Sequence, residues 1–361
     1  MRDKMLLEPD NFFKTKMAPV NVKINRLGGV VCIAVGLCLF LYLFDVSGWF
    51  KDEQRISMKE LLSVSIELAK RGGDKVWEIR AENTLAGKSK GKTNEGADEM
   101  LTRGDLESHK TIVHGLAKAF PGLKVISEEH ESQPVDFKRV PDVNKKIAEV
   151  EPLSDQSIIA KDVTVWIDPL DATQEYTEDL TQFVTTMVCV AVKGQPTIGV
   201  IHKPFLNDGK GETYWGWVGH GQSSSLKKSE ESKRDENSHH KIIVSRSHQG
   251  RVEKVVRELL GEKAEITQAG GAGYKTLEVI MGNSDAYVHV TLIKKWDICA
   301  GNAIISSLDG KMTTLKGEPI NYSFDSNPKN EDGLLTTLYN HDFYLKRLAP
   351  AADEHKKSSH H

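Results

Sequence analysis

Cysteine is scarce in this chain. Its 361 residues hold four, at 32, 38, 189 and 299, and no spacing among them reads as a disulfide framework or a zinc site. Cys32 and Cys38 fall in an apolar run. Cys189 sits in the strand-like Thr185–Val192 and reads as a small buried hydrophobe. Two cysteines in the body do not fix a redox compartment. An excess of basic charge is also missing: 48 Lys and Arg against 51 Asp and Glu leave a formal charge of −3. Broad nucleic-acid binding needs a basic face to displace counterions, so that class is excluded. A small phosphorylated substrate is not excluded, because a few local groups can hold one. Clustered Cys and His are absent as well, which removes redox and zinc proteins from consideration. No internal repeat occurs.

What the chain does have is one long uncharged run, Leu27–Phe44. Eighteen helical residues reach about 27 Å, enough for a bilayer core. Lys14, Lys16, Lys23 and Arg26 precede it, and Asp45, Trp49 and Phe50 follow. The positive-inside rule then gives a cytoplasmic tail (1–26), a signal-anchor (27–44), a stem (45–56) and a body across the membrane. A cleaved signal peptide, processed near Val46-Ser47-Gly48, is the alternative; the length of the run and of its leader favours the anchor. Met17 is a second possible start. Asn321-Tyr322-Ser323 is the single glycosylation sequon and gives weak support to a lumenal body.

In the body, Ser57 and Glu60 have capping-box spacing ahead of an apolar helical pattern. Lys88–Glu95 is polar and reads as a mobile loop. A helix is expected over Leu106–Phe120, stopped by Pro121-Gly122, and then a strand over Lys124–Ser127. His130 to about Asp162 has little periodicity and reads as an insertion. Val163–Ile167, Thr185–Val192, Thr197–His202 and Glu212–Val218 read as strands, the middle two joined as a hairpin through Lys193-Gly194-Gln195-Pro196. Residues 222–240 are Ser-, Lys- and Glu-rich and read as a solvated linker between an N-terminal part (57–221) and a C-terminal part (241–348). Lys241–Ser245, Gln249–Leu260, Asp285–Val290 and Asp297–Leu308 then alternate strand and helix, the mark of α/β layers. Residues 349–361 read as a disordered tail.

The chemistry concentrates in Asp168-Pro169-Leu170-Asp171-Ala172-Thr173. Two carboxylates three apart, where a strand gives way to a helix, can converge on one point. Hard cations such as Mg²⁺ take oxygen ligands and keep several waters, so two or three carboxylates suffice. Thr173 can present its hydroxyl there, and the free N–H groups of the following turn can meet a phosphate. The bland reading is a helix N-cap with Thr173 exposed. Taken alone, the hexapeptide does not decide between the two.

Trp166–Thr173 resembles the signature of the inositol monophosphatase family of Mg²⁺-dependent, lithium-sensitive phosphatases. Ser127-Glu128-Glu129 resembles its Gly-Glu-Glu, with Ser in place of Gly, and Trp296-Asp297-Ile298-Cys299-Ala300 resembles its Trp-Asp-x-x-Ala. The resemblance covers roughly Ser57 to Leu348 and implies an αβαβα sandwich, α+β in its N-terminal part and α/β in its C-terminal part. It implies Glu129, Asp168, Asp171 and Asp297 as carboxylate ligands of Mg²⁺, with the carbonyl of Leu170. It also implies that Asp105, in Thr102-Arg103-Gly104-Asp105, works with Thr173 to orient the attacking water. For Glu129 and Asp297 taken singly, surface solvation or helix capping is the simpler account.

Ser245-Arg246-Ser247-His248 and Gly270-Gly271-Ala272-Gly273-Tyr274-Lys275 resemble the branch that removes the 3′-phosphate of adenosine 3′,5′-bisphosphate. That resemblance implies Ser245, His248, Gly271 and Lys275 as substrate-binding residues. With the anchor, it implies a type II Golgi membrane protein that clears the by-product of lumenal sulfotransferases. The competing readings are an inositol or other sugar phosphatase and, in another class, a catalytically silent membrane-tethered binding protein. The silent reading would show a lost ligand or water-orienting residue, and none of Asp105, Glu129, Asp168, Asp171, Thr173 or Asp297 is missing. Oligomeric state is not legible.

Overall fold

The structure is a computed structural model that describes residues 25–43, 53–92, 98–131, 133–226, 228, 238–246, 251–261 and 264–350. It divides into two compact units, Met1–Glu53 and Gln54–His361. In the first, α1 (Arg26–Leu43) covers nearly all of the expected run, and Leu27, Val30, Val31, Ile33, Val35, Leu37 and Leu39 are exposed, Leu27 at 74%. Among the described residues no helix is long and apolar enough to cross a membrane. Nearly all of the cytoplasmic tail and most of the stem lie outside the described residues. The last stem residues do not belong to a stem, because β1 (Arg55–Ser57) pairs with β5 (Ser157–Ile159) in the body.

The body begins with α2 (Met58–Ala81), whose N-cap Ser57 accepts from the Glu60 amide at 3.0 Å. Lys88–Lys92 (β2) and Asp98–Leu101 (β3) form an antiparallel ribbon where a loop was expected. Its sequence hides this: Lys-Ser-Lys-Gly-Lys has no apolar face, and a bulge interrupts the register between Ser89 and Gly91. Next comes α3 (Arg103–Ala119), which starts three residues before its expected position because Thr102 and Asp105 form a capping box. β4 (Lys124–Ser127) follows as expected. Up to β5, the described part of the insertion holds no helix or strand.

β6 (Val163–Asp171) is buried along its whole length. β7 (Thr185–Val192) and β8 (Gln195–Lys203) form a hairpin tighter than expected. Lys193 and Gly194 both have positive φ, as a two-residue primed turn requires, and Pro196 falls inside β8 at a bulge. β9 (Glu212–Trp217) and β10 (Gly221–Gln222) complete a six-stranded sheet in the order β10-β9-β8-β7-β6-β4, in which only β4 and β6 are parallel. The start of the expected linker is docked, since the Ser224 amide and hydroxyl both donate to Glu149.

The C-terminal part contains β11 (Lys241–Ser245), α5 (Arg251–Leu260), β12 (Glu265–Ala269), α6 (Ala272–Ile280), β13 (Ala286–His289), β14 (Ile293–Lys294) and α7 (Lys295–Ser307). It closes with β15 (Lys311–Thr313), β16 (Lys329–Asn330), β17 (Leu334–Thr337) and α8 (His341–Leu348). The five-stranded sheet runs β12-β11-β13-β17-β15. Residues 351–361, nearly all of the expected tail, lie outside the described residues.

The two sheets and three helical layers alternate. α2 and α3 cover one face of the six-stranded sheet, and α6 and α7 lie between the sheets. α5 and α8 cover the far side of the five-stranded sheet, so the order is αβαβα. The alternation along β6 shows why: Val163, Val165 and Ile167 enter the core under α2 and α3, while Trp166 enters the core around α7. Gly199 lets α7 approach closely, because a Cβ there would collide with the Ala300 carbonyl oxygen. Cys189 on β7 and Cys299 on α7 are disulfide-bonded, which corrects the reading of Cys189 as a free hydrophobe. The two are 110 residues apart, a distance at which no local pattern betrays a pair.

Candidate active site

The site grows from the end of β6. Asp168 pairs with Met187 and Asp171 with Thr185, and the register shifts between them. Pro169 has no N–H to give the ladder, so the strand bulges at Pro169-Leu170 and re-aims its two carboxylates. Ser108 on α3 donates to the Pro169 carbonyl at 2.6 Å and pins the bulge from behind. Ala172 then takes a left-handed conformation, φ 69°, which costs about 1–3 kcal/mol in a residue with a Cβ. That turn delivers Thr173 to the start of α4 (Thr173–Thr177).

The Thr173 hydroxyl lies 3.0 Å from Asp105 Oδ1 and 3.0 Å from the Leu170 carbonyl. Asp105 is fully buried. Its Oδ2 accepts from the Thr102 amide at 2.7 Å and the Thr102 hydroxyl at 2.6 Å. Burial pushes its pKa up to about 6, against the pull of these hydrogen bonds. Asp105 is therefore both a helix cap, through one oxygen, and a partner of Thr173, through the other.

Glu128, Asp168 and Asp297 bring ligand oxygens within 4.8 Å of one another. Asp297 comes from the first turn of α7, where the Lys294 amide donates to its Oδ2 at 3.1 Å. Asp168 is buried, and the charges acting on it most strongly are the carboxylates of Glu128, Asp171 and Asp297. Burial and these neighbours push Asp168 and Asp297 well above the usual carboxylate range. Burial likewise pushes Glu128 up to about 7, with Lys90 opposing. Hard oxygen donors crowded without enough compensating charge are a donor set that fits a divalent cation.

The glutamate in this group is Glu128 rather than the expected Glu129. The parallel register of β4 and β6 matches Ser127 with Ile167, so one step further Glu128 stands beside Asp168. Glu129, the next residue, is buried but is not one of the three whose oxygens converge, and its charge acts on Asp105 and Glu128. Glu129 pairs instead with Lys90 of β2, whose ammonium is also 3.2 Å from Glu128.

Asp171 falls outside that tight group. Its Oδ1 accepts from the Ala272 amide at 3.2 Å, and its Oδ2 from the Gly273 amide at 2.8 Å and the Thr185 hydroxyl at 3.1 Å. Gly271 makes this approach possible: its φ is 65°, and a Cβ would come within 2.8 Å of the Phe183 carbonyl and 2.9 Å of Asp171 Oδ2. Lys275 is 3% exposed and donates to the carbonyls of Gly271 at 2.5 Å and Ala269 at 3.4 Å. Ser245 ends β11 and is buried. His248 lies outside the described residues. Asn321 is exposed, and its side-chain oxygen accepts from the Ser323 amide at 2.9 Å.

The sequence reading missed Arg246. Its guanidinium pairs with Glu178 at 2.6 Å and Glu175 at 3.2 Å, joining the end of β11 to α4. Its place beside Ser245 in the quoted motif was the available signal.

Residues 57–356 match the inositol monophosphatase family. The chain belongs to that family. It is 44% identical over 358 residues to an inositol monophosphatase 3 of Danio rerio, covering 94% of this chain and all of that protein. It is 42% identical over 361 residues to a Golgi-resident adenosine 3′,5′-bisphosphate 3′-phosphatase of Mus musculus, covering 92% of this chain and 98% of that one. The fold is shared with the extragenic suppressor protein suhB of Bartonella henselae, with a TM-score of 0.60 at 20% identity, over 81% of this chain and 98% of that one. This family member is a phosphatase, a phosphoric monoester hydrolase.

Proposed function

We propose that the chain hydrolyses the 3′-phosphate of adenosine 3′,5′-bisphosphate, giving AMP and phosphate, with Mg²⁺ held at Glu128, Asp168 and Asp297. The observation that carries the chemistry is this carboxylate group set beside the Thr173–Asp105 pair. Asp171, whose charge acts on Asp168 and Asp297, and the Leu170 carbonyl, 3.0 Å from the Thr173 hydroxyl, are the further donors this reading uses. When bound, Mg²⁺ supplies neutralisation of the phosphoryl oxygens, activation of water and stabilisation of the leaving alkoxide. The rest falls to the chain. Thr173, by giving its hydroxyl proton to Asp105, leaves an oxygen lone pair free to accept from an attacking water and aim it. Asp105, ionised above about pH 6, takes up the proton.

The substrate class rests on Gly270–Lys275 and Ser245–His248, of which Gly271 lies against Asp171. It is also supported by the name of the Golgi-resident relative. The relative named inositol monophosphatase 3 keeps the sugar phosphate as the competing substrate. Phosphate release from adenosine 3′,5′-bisphosphate and from inositol 1-phosphate, by one preparation at equal Mg²⁺, separates them. A higher kcat/KM on the nucleotide is expected; a higher value on inositol 1-phosphate would leave only the phosphatase.

The location follows as a Golgi membrane protein with the body in the lumen. The exposed apolar surface of α1, the exposed sequon at Asn321 and the Cys189–Cys299 disulfide, which suits an oxidising compartment, support it. In sealed microsomes the body should resist protease until detergent is added. Digestion without detergent would refute the orientation.

A further inference from the structure

Lys275 is placed oddly for a group that reads a substrate. An ammonium meant for a phosphate should face the cleft, yet this one is 3% exposed. Its hydrogen bonds go to the carbonyls of Gly271 and Ala269, and it lies 5.1 Å from the centre of the Tyr287 ring. Its charge acts on Asp171, Glu175 and Asp297, and burial pushes its own pKa down to about 8. The carbonyl it holds belongs to Gly271, whose left-handed φ begins α6. The next two amides, Ala272 and Gly273, are the ones that grip the Asp171 carboxylate.

We propose that Lys275 is a positioning residue: by clamping the Ala269–Gly271 turn it fixes the two amides that aim Asp171 at the cation site. This rests on the reading of Asp171 as part of that site and assigns Lys275 a role other than substrate contact. The physical argument is one of competing forces. Two carbonyl oxygens turned inward and a buried carboxylate all need positive partners, and a single ammonium on α6 serves the carbonyls directly and the carboxylate by charge. Without it the Gly271 carbonyl keeps only the long 3.3 Å bond from the Lys275 amide and the Ala269 carbonyl loses the ammonium, so the turn relaxes and Asp171 loses the geometry of both N–H bonds.

The test is Lys275→Met, which keeps the apolar stem and removes charge and donors. Amide hydrogen exchange at Ala272 and Gly273 should accelerate in the cation-free protein. Mg²⁺ affinity by calorimetry should weaken about tenfold, as for other losses behind a ligand. Removing a nearby positive charge alone would tighten cation binding, so weakening is the signature of lost geometry. The kcat on adenosine 3′,5′-bisphosphate and on a small phosphate ester should fall together, by about 10- to 100-fold. KM for the nucleotide should be unchanged.

Unchanged exchange at the two amides, equal or tighter Mg²⁺ binding, or a rise in KM confined to the nucleotide would each overturn the proposal. Should Lys275→Met fail to fold, Ala272→Pro strikes the same device from the other side. Pro suits the first position of a helix and deletes one of the two amide donors. It should likewise weaken Mg²⁺ and slow both esters alike; normal Mg²⁺ binding in that variant would overturn the proposal. If the wild-type protein releases phosphate from neither ester, the functional reading fails, while exchange and calorimetry still decide the role of Lys275.

Discussion

Asp105 does separate work with its two oxygens. Oδ2 is spent on the Thr102 cap, and Oδ1 remains for Thr173. Burial raises its pKa to about 6, so the residue is an ionised acceptor only above that pH. The sign follows directly. As pH falls through 6, Asp105 protonates, Thr173 loses the acceptor for its proton, and kcat/KM should drop about tenfold per pH unit. Asp105→Asn should remove most activity. A flat profile down to pH 5 at saturating Mg²⁺ would contradict the role given to Asp105.

At the scale of elements, the site depends on holding α7 against the six-stranded sheet. Asp297 rides on α7, and Asp168 and Asp171 on β6. The Cys189–Cys299 bond links α7 to β7, the strand hydrogen-bonded to β6. A cross-link that closes so long a loop contributes about 2–4 kcal/mol in typical cases. Replacing both cysteines by alanine should therefore lower the urea midpoint by that amount of stability. An unchanged midpoint, or alkylation of both thiols in the denatured but unreduced chain, would show that the pair is not bonded.

How much of this was legible follows from range. Asp168, Asp171 and Thr173 are contiguous, and a local motif announces itself. Asp105 was legible through the family resemblance, but the start of its helix was not, because the Thr102 cap sets it three residues before the apolar pattern begins. Glu128 and Glu129 are adjacent and chemically identical, so only the register of β4 against β6 chooses between them. The disulfide joins residues 110 apart, and the β2–β3 ribbon has no apolar stripe to reveal it.

At the scale of the molecule, two sheets share a middle layer of helices, and the site forms where elements from both meet. β4 and β6 of the first sheet bring Glu128, Asp168 and Asp171. The helices between the sheets bring Asp297 on α7 and, on α6, the amides that hold Asp171. Composition and periodicity indicated α/β layers, and the family resemblance supplied their αβαβα order. Neither conveyed the closeness of α7 to the sheet, which depends on the bare backbone at Gly199.

The central claim is that Glu128, Asp168 and Asp297 hold the cation that hydrolysis requires. The most direct measurement is phosphate release against Mg²⁺ concentration for wild type, Glu128→Gln and Glu129→Gln. Glu128→Gln should lose on the order of 10²-fold in kcat, with a raised Mg²⁺ requirement, as when a principal electrostatic group is removed. Glu129→Gln, which loses a largely buried pairing with Lys90 rather than a place among the three carboxylates, should lose less in kcat than Glu128→Gln and keep the wild-type Mg²⁺ requirement. Wild-type turnover and Mg²⁺ dependence in Glu128→Gln would contradict the account.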